Sequence, residues 1–209
     1  MKRIWDVKLT FLTPLLGTTP LDSEVYSAYV AARNPTEEGR DEENQIKSEQ
    51  QVADELERRS TGFMRLPDGS IYLYDYQVRG FFKGAAYGCR RASDSKSAKL
   101  KAYKTAVDAA VFVTPRVLVI RMPSGGEVTW LERPLRADTA QGPRICLARS
   151  EQAPDGSAVS FRVISIDDKI DGDILREWLD YGEFHGLGQW RGGGWGRFSY
   201  TITDQTPAE

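Results

Sequence analysis

A glycine-rich segment near the end of the chain, residues 185–198, sets the strongest limit on the fold. Six of its fourteen residues are glycine, so neither a stable helix nor a regular strand can run through it. The others include two tryptophans, two arginines and the only histidine of the protein, His185. Because glycine lacks a Cβ and adopts positive φ, such a backbone can lie close to a flat or anionic ligand. Arginine binds phosphates and tryptophan stacks on bases, so we predict a loop that holds a nucleic-acid backbone.

The amino-acid composition excludes several classes of protein. A chain of 209 residues with 40% hydrophobic residues can bury one good-sized core or two small ones. The net charge of −2 argues against a general polyanion binder but allows a local basic groove. Two cysteines and one histidine give neither a disulfide framework nor a zinc spacing, so no metal and no cofactor is expected. Since neither a signal sequence nor an apolar run of membrane length is found, we expect a cytoplasmic protein without membrane contact.

The order of the predicted elements indicates the fold class. Helices are predicted after a Pro-Asp-Gly hairpin turn at residues 67–69, again over residues 104–112, and after an N-cap at Asp171 or Asp173, ending just before Gly182. Strands are predicted at residues 4–12, 63–66, 71–74, 116–121, 127–151 (two strands), 159–164 and 197–202. With insertions removed, the order is βαββαβ. We therefore predict an α+β fold with a ferredoxin-like or RRM-like core, a four-stranded antiparallel sheet with helices on one face.

Two segments interrupt this core. Residues 36–60 are rich in Asp and Glu with few apolar positions, which predicts an acidic, solvated helical insertion. Residues 127–151 are predicted to form a projecting hairpin that carries Arg133, Arg136 and Arg144. We expect both insertions to belong to a single domain of residues 1–209.

A basic region follows the first hairpin. Residues 79–104 contain eight Lys or Arg residues and only one acid, Asp94. In an acidic protein this asymmetry is typical of a nucleic-acid footprint, although a solvated lysine-rich helix is the alternative. Gly80 and Gly84 lie four apart on the same predicted helix, where each costs roughly 1 kcal/mol of helix stability. A close backbone approach to a sheet or to a phosphate would compensate for that cost, and of the two we expect close packing.

Four motifs, in chain order, resemble those of the RAMP superfamily (repeat-associated mysterious proteins), and specifically its crRNA-binding backbone subunits of CRISPR effector complexes. The first is Thr-Pro-Leu-Leu-Gly after the first strand, residues 13–17. The second, residues 71–84, is similar to a short strand followed by a helix start with a Ser-x-Lys-Gly type element. The third resembles a Glu-x-x-Pro-x-Gly-x-x-Phe strand entry, and the fourth is the glycine-rich segment itself. The third is carried by Glu151, Pro154, Gly156, Ser157 and Phe161.

The resemblance implies an RNA-binding protein of antiviral defence that grips a single-stranded, guide-type RNA within a ribonucleoprotein. Copies of the chain, or related RAMP subunits, would assemble head to tail along it. The hairpin of residues 127–151 would act like the family's thumb. The residues expected at the RNA are Arg79, Lys83, Arg90, Arg91, Arg133, Arg136, Arg144, Gly186, Gly188, Gln189, Trp190, Arg191, Gly194, Gly196 and Arg197.

The chain also departs from the family pattern. Tyr-Gln-Val-Arg at residues 76–79 stands where the family often has serines. Target-cleaving members use an acid in the loop after the first strand, whereas here the nearest acid is Asp22. We therefore expect no target cleavage.

Three alternatives stay open. The protein could be a metal-independent endoribonuclease in which His185 is the general base. It could instead be a scaffold or inhibitor that docks on a CRISPR-type or phage complex without holding RNA. The glycine-rich segment itself could be a connection packed by its own tryptophans.

Overall fold

The computed structural model describes residues 2–21, 60–139 and 142–205. The chain divides into two compact units. The first comprises Met1–Leu16, Met64–Val128 and Ala153–Glu209, and the second comprises Gly17–Phe63 and Thr129–Gln152. Apart from Ser60, the predicted acidic insertion at residues 36–60 lies outside the described residues. The assignment of residues 1–209 to a single domain stays a prediction.

The described residues form short strands and three α-helices. The strands are β1 (Arg3–Phe11), β2 (Leu15–Leu16), β3 (Thr19–Pro20), β4 (Ser60–Gly62), β5 (Met64–Arg65), β6 (Ile71–Tyr74), β7 (Val111–Thr114), β8 (Val117–Val119), β9 (Thr129–Thr139), β10 (Gly142–Ala153), β11 (Ala158–Ser165) and β12 (Phe198–Asp204). The helices are α1 (Asp75–Cys89), α2 (Tyr103–Ala110) and α3 (Gly172–His185). Two 3₁₀ turns, Lys96–Lys99 and Arg191–Gly193, complete the set.

The first unit is built on a four-stranded sheet in the order β12-β1-β11-β7. All three pairings are antiparallel. In the chain, α1 and α2 lie between β1 and β7, and α3 lies between β11 and β12. This is the predicted βαββαβ order, so the α+β, ferredoxin-like prediction is confirmed.

One face of this sheet carries the core. Alternation along β1 buries Trp5, Val7 and Leu9, and the register places Val7 opposite Phe161 of β11. Two helices cover these side chains, since α1 and α3 bury apolar stripes at helical spacing. Aromatic rings join the layers: Phe82 of α1 and Trp178 of α3 have ring centroids 5.5 Å apart, and Phe81 of α1 and Phe198 of β12 have theirs 5.4 Å apart.

The second core strand differs from the prediction. Residues 116–121 were expected as an interior strand, but β8 belongs to a separate three-stranded sheet in the order β5-β6-β8. The core strand is β7, whose first two residues were predicted as the end of a helix. Its pairing with β11, with Val113 opposite Val163, outweighs the local helical pattern.

Helix α3 confirms one predicted boundary and corrects the other. Asp171 is the N-cap, and its carboxylate accepts hydrogen bonds from the backbone N–H groups of Asp173 (3.1 Å) and Ile174 (2.9 Å). The helix continues through Gly182 to His185, so the predicted end is wrong. A Cβ at Gly182 would overlap the ring of Phe198, which shows that packing requires this glycine.

The second unit contains a small sheet. In it, β4 pairs antiparallel with β3 and parallel with β10. Strands β9 and β10 form the long hairpin predicted at residues 127–151, with Thr129 opposite Gln152 and Thr139 opposite Gly142. The buried carboxylate of Glu151 accepts a hydrogen bond from the N–H of Phe63 (2.9 Å).

Candidate nucleic-acid interface

The glycine-rich segment begins where α3 ends. Gly186 caps the helix with φ of 74°, and its N–H donates to the carbonyl of Gly182 (2.9 Å). The N–H of Leu187 then donates to the carbonyl of Gly196 (2.8 Å), and the Leu187 side chain is buried. The two ends of the segment therefore lie against each other and close a loop above β12.

Three glycines of this loop are required by its own folding. Gly186, Gly188 and Gly196 have positive φ, and a Cβ at any of them would collide with neighbouring atoms. At Gly188 the added atom would lie 2.8 Å from Cδ1 of Leu15. For this part of the loop, the alternative of a self-packed connection describes the structure well, although the partners include Leu15 and not only the loop's tryptophans.

The tip of the loop is different, because its glycines have open space around them. A Cβ at Gly192 or Gly194 would meet no described atom within 4 Å, although Gly194, with φ of 86°, still needs glycine for its backbone conformation. Trp190 has a left-handed backbone (φ 55°, ψ 32°) and leads into the Arg191–Gly193 turn. A left-handed residue followed by a right-handed turn points successive N–H groups into a shared concavity, which is an anion-binding arrangement. Among the described residues, no backbone carbonyl accepts the N–H of Arg191 or Gly192.

Arg197 holds the loop in place. Its Nε donates to the carbonyl of Glu183 (2.6 Å) near the end of α3, and its guanidinium lies 5.8 Å from the centroid of the Phe184 ring. Its backbone N–H donates to Oγ1 of Thr13 (2.9 Å), and that hydroxyl donates to the carbonyl of Gly194 (2.9 Å). Arg197, predicted as an RNA contact, is thus also used by the loop's own packing. Thr13, which sequence reasoning noticed only as part of a family motif, fixes the loop.

Arg191 brings the loop tip to α1. Its Nη1 lies 3.8 Å from the position that a Cβ on Gly84 would occupy. No ion pair or hydrogen bond engages the Arg191 side chain within the described residues. Two of the predicted sites, the glycine-rich loop and the basic helix, are thus neighbours in the fold.

The exposed side of α1 is flat at its centre. Gly80 is exposed, and a Cβ there would meet no atom of the described residues within 4 Å. At Gly84 the guanidinium of Arg191 is the only neighbour from those residues within that distance. The prediction that close packing compensates for both glycines is therefore wrong, since no side chain or backbone of the described residues packs tightly on either.

Tyrosines flank these glycines along the same helical face. Tyr76 and Tyr87 are 45% and 50% exposed, and each lies about one turn beyond the glycine pair, at opposite ends of it. Tyr76 stacks on Tyr74 with ring centroids 5.2 Å apart, and Arg91 lies 4.8 Å from the centroid of Tyr87. Sequence analysis did not assign either tyrosine to the site, although the spacing 76, 80, 84 and 87 places all four residues on one face of a helix. We call Tyr76, Gly80, Gly84, Tyr87 and Arg191 the α1–loop surface.

Cations predicted on α1 lie beside this surface. Lys83 pairs with Asp108 (2.8 Å), and Arg79 lies 3.6 Å from Asp75. Arg90 lies over the ring of Tyr103, 5.3 Å from its centroid. The exposed Lys83–Asp108 pair contributes about 0–1 kcal/mol, so a phosphate can replace that carboxylate at little cost. The basic region of residues 79–104 is not one helix, since α1 ends at Cys89 and α2 starts at Tyr103.

The predicted arginines of the hairpin belong to the second unit. Arg133 and Arg136 lie on β9, opposite Ala148 and Ile145, and Arg144 lies on β10, opposite Ala137. Nearby, the guanidinium of Arg149 lies over the ring of Trp130, 4.2 Å from its centroid, and 3.1 Å from the carboxylate of Glu132. Trp130 and Arg149 form an aromatic and cationic pair on the hairpin that sequence reasoning did not single out together.

His185 is the last residue of α3 and lies beside the loop. Its ring centroid is 4.7 Å from that of Tyr181. Partial burial lowers the pKa of His185, and the charge of Arg191 lowers it further. The imidazole is therefore neutral at pH 7, which is the state that a general base requires.

Comparisons with known proteins give a fold relationship. No protein-family model matches the sequence, and no curated protein matches it. Among solved structures, the chain is similar to a chain in the cryo-EM structure of the Type III-B Cmr-beta bound to cognate target RNA, with a TM-score of 0.56 and 10% sequence identity. The match covers 99% of this chain and 62% of that chain, so this chain spans less than two thirds of its structural neighbour. The two chains share a fold.

No helix of the described residues is long and apolar enough to cross a membrane. Within the same residues, no three metal-ligating side chains come together.

Proposed function

We propose that this protein binds a single-stranded, guide-type RNA by its sugar–phosphate backbone, as a non-catalytic RAMP-like subunit of a CRISPR-type ribonucleoprotein. The α1–loop surface is the contact region. Phosphates approach the N–H groups at the loop tip and the guanidinium of Arg191, while bases stack on Tyr76 and Tyr87. The shared fold with a chain of an RNA-bound Cmr-beta structure supports this proposal.

One observation carries it: Gly80 and Gly84 lie inside helix α1, and no described residue packs on either closely enough to require a glycine. Each glycine costs about 1 kcal/mol relative to alanine, and nothing in the described chain offsets that cost at Gly80. A ligand whose backbone lies close against the helix would explain why these two positions are glycine. RNA fits this requirement because tyrosines and cations surround the flat patch.

The remaining predicted contacts extend the same proposal. Arg133, Arg136 and Arg144 on the β9–β10 hairpin separate short runs of bases, as the thumb of the resembled family does. Copies of this chain, or related subunits, contact one another head to tail along the RNA, because such an interface need not close.

Arg191 provides the direct test. Binding of a fluorescein-labelled 30-nucleotide RNA is measured by anisotropy at several salt concentrations for the wild type, Arg191→Gln and the control Arg176→Gln on an exposed part of α3. We expect Arg191→Gln to weaken binding and to reduce the slope of log K against log salt by about 0.7, the value for one phosphate contact on a single strand. The control should bind like the wild type.

Two results would contradict the proposal. If the purified wild type carries no nucleic acid and fails to bind RNA at low salt, the protein is better described as an RNA-free scaffold or inhibitor. If both arginine variants bind RNA equally well, the RNA lies on another surface.

A metal-independent endoribonuclease is the second candidate, and the neutral imidazole of His185 beside Arg191 favours it. In that reaction His185 accepts the proton of a 2′-hydroxyl. Cleavage of labelled RNA by the wild type in the presence of a chelator, lost in His185→Ala with binding retained, would establish this activity. Absence of wild-type cleavage would exclude it for that substrate.

A further inference from the structure

A lysine-lined cavity lies in the first unit, away from the residues of the α1–loop surface. Its volume is about 650 Å³, and it is bounded by the Lys96–Lys99 turn, α2 and the segment that enters α3. Sites for small ligands usually have volumes of about 300–1,000 Å³. The charged side chains around it are those of Lys96, Lys99, Lys101, Lys169, Asp167 and Asp171.

The two aspartates of the lining are already engaged by backbone groups. Asp171 caps α3, and Asp167 accepts a hydrogen bond from the N–H of Lys169 (2.9 Å). Of the four lysines, Lys96 is paired with Asp173. Within the described residues, no ion pair or hydrogen bond engages the ammonium groups of the other three.

The lining therefore carries an excess of positive charge, with four lysines against two aspartates. The protein as a whole has a net charge of −2, so this excess does not follow from a basic composition. Like charges around a shared space repel one another, and a bound anion relieves that repulsion. Part of the lining is apolar, since Leu100 and Ile174 are buried there beside Ala106.

The lysines are carried by a rigid support. Ser97, in the middle of the 3₁₀ turn, is fully buried, and its hydroxyl accepts a hydrogen bond from Nε1 of Trp178 (2.9 Å). The carboxylate of Glu177 accepts hydrogen bonds from the N–H (3.1 Å) and the hydroxyl (3.3 Å) of the same serine. The backbone of the turn that carries Lys96 and Lys99 is thus fixed to α3.

We propose that this cavity binds a phosphate-bearing ligand. Lys99, Lys101 and Lys169 contact the phosphate oxygens, and Leu100 and Ile174 lie against the non-polar part of the ligand. The phosphate belongs either to a free nucleotide or to an RNA strand. This site uses different residues from the proposed RNA interface and does not depend on it.

Calorimetry on the full chain at low salt tests the proposal with three probes: tripolyphosphate, ATP and a 12-nucleotide poly-U RNA. The test variant replaces Lys99, Lys101 and Lys169 with glutamine. The control replaces Lys8 and Lys104, two exposed lysines outside the cavity, in the same way. We expect at least one probe to bind the wild type and the control, and to bind the triple variant roughly tenfold or more weakly. The reason is that each hydrogen bond between a lysine and a phosphate contributes substantially to the binding free energy.

The probes distinguish the sources of phosphate. Loss of ATP and tripolyphosphate binding in the triple variant indicates a free nucleotide, and loss confined to the RNA indicates a strand. The proposal is wrong if no probe binds the wild type, or if the triple variant and the control bind alike. Thermal unfolding checks each variant, and the single substitution Lys169→Gln replaces the triple one if that fails to fold. The α1–loop surface is tested separately through Arg191, so either proposal can fail without the other.

Discussion

Replacing Gly80 with alanine should make the protein more stable and a poorer RNA binder. Gly80 lies inside α1, and an added Cβ meets no atom within 4 Å. No packing penalty therefore opposes the gain in helix propensity, which is about 1 kcal/mol in the free energy of unfolding. For a chain of this size, that gain raises the melting temperature by roughly 2–4 °C.

The expected effect on RNA has the opposite sign. If a nucleotide lies against the bare helix backbone, a methyl group displaces it and a larger side chain does so further. We expect a measurable loss of affinity for Gly80→Ala and a loss of roughly tenfold for Gly80→Leu, which corresponds to about 1.4 kcal/mol. Opposite signs for stability and binding cannot arise from a glycine whose role is purely structural.

Urea denaturation and fluorescence anisotropy with a labelled RNA measure the two quantities on the same preparations. Gly88→Ala on the same helix is the matched contrast, because a Cβ there would lie 2.7 Å from the ring of Tyr181 and should lower stability. A Gly80→Leu variant that binds RNA as tightly as the wild type would refute the reasoning, since it would show that no ligand approaches this face.

Three further predictions concern stability and its dependence on pH. Gly182→Ala should lower the free energy of unfolding by roughly 1–3 kcal/mol in urea denaturation, because its Cβ overlaps the Phe198 ring; an unchanged midpoint would mean that the helix end rearranges freely. Ser97→Ala should lower the free energy of unfolding by about 1–3 kcal/mol in the same assay, because it leaves the buried indole N–H of Trp178 without its acceptor. Ser97→Thr keeps the hydroxyl and should lower the free energy of unfolding less. The pKa of His185 is lowered in the folded state by burial and then by a neighbouring guanidinium, so the unfolded chain binds this proton first as the pH falls. Stability should decrease below about pH 6.5, the unfolded value, and His185→Gln should reduce that decrease relative to the wild type; identical pH profiles would contradict this.

Much of the fold could be predicted because its signals are local. The alternation in β1 and the side-chain cap of α3 depend on residues within a few positions of one another, and both were predicted. The strand at Val111–Thr114 could not be predicted, since it follows α2 without a turn and continues its apolar pattern. Its strand conformation is decided by pairing with β11, a partner about fifty residues further along the chain.

The candidate site was predicted in parts but not as a whole. The loop, Lys83 and Arg191 were predicted to be at the site from composition and charge. The proximity of Arg191 to Gly84 could not be predicted, because it depends on how α3 and α1 pack on one sheet. Arg197 was predicted as an RNA contact on residue type alone, yet its Nε is bound to the carbonyl of Glu183. A sequence shows which groups can bind phosphate and does not show which of them the fold has already used.

Glycine density illustrates the same distinction, and it decides how the interface should be tested. Gly186, Gly188 and Gly196 are glycines because neighbouring atoms leave no room for a Cβ, so alanine at these positions should damage the loop whether or not RNA binds. Gly80 and Gly192 have room for a side chain and lack one. Only substitutions of this second kind separate binding from folding, because their cost falls on a ligand that the isolated chain does not contain. A loop whose glycines were all of the first kind would be fully explained as a connection between α3 and β12, and the open glycines are the positions at which the proposed RNA contact can be tested apart from folding.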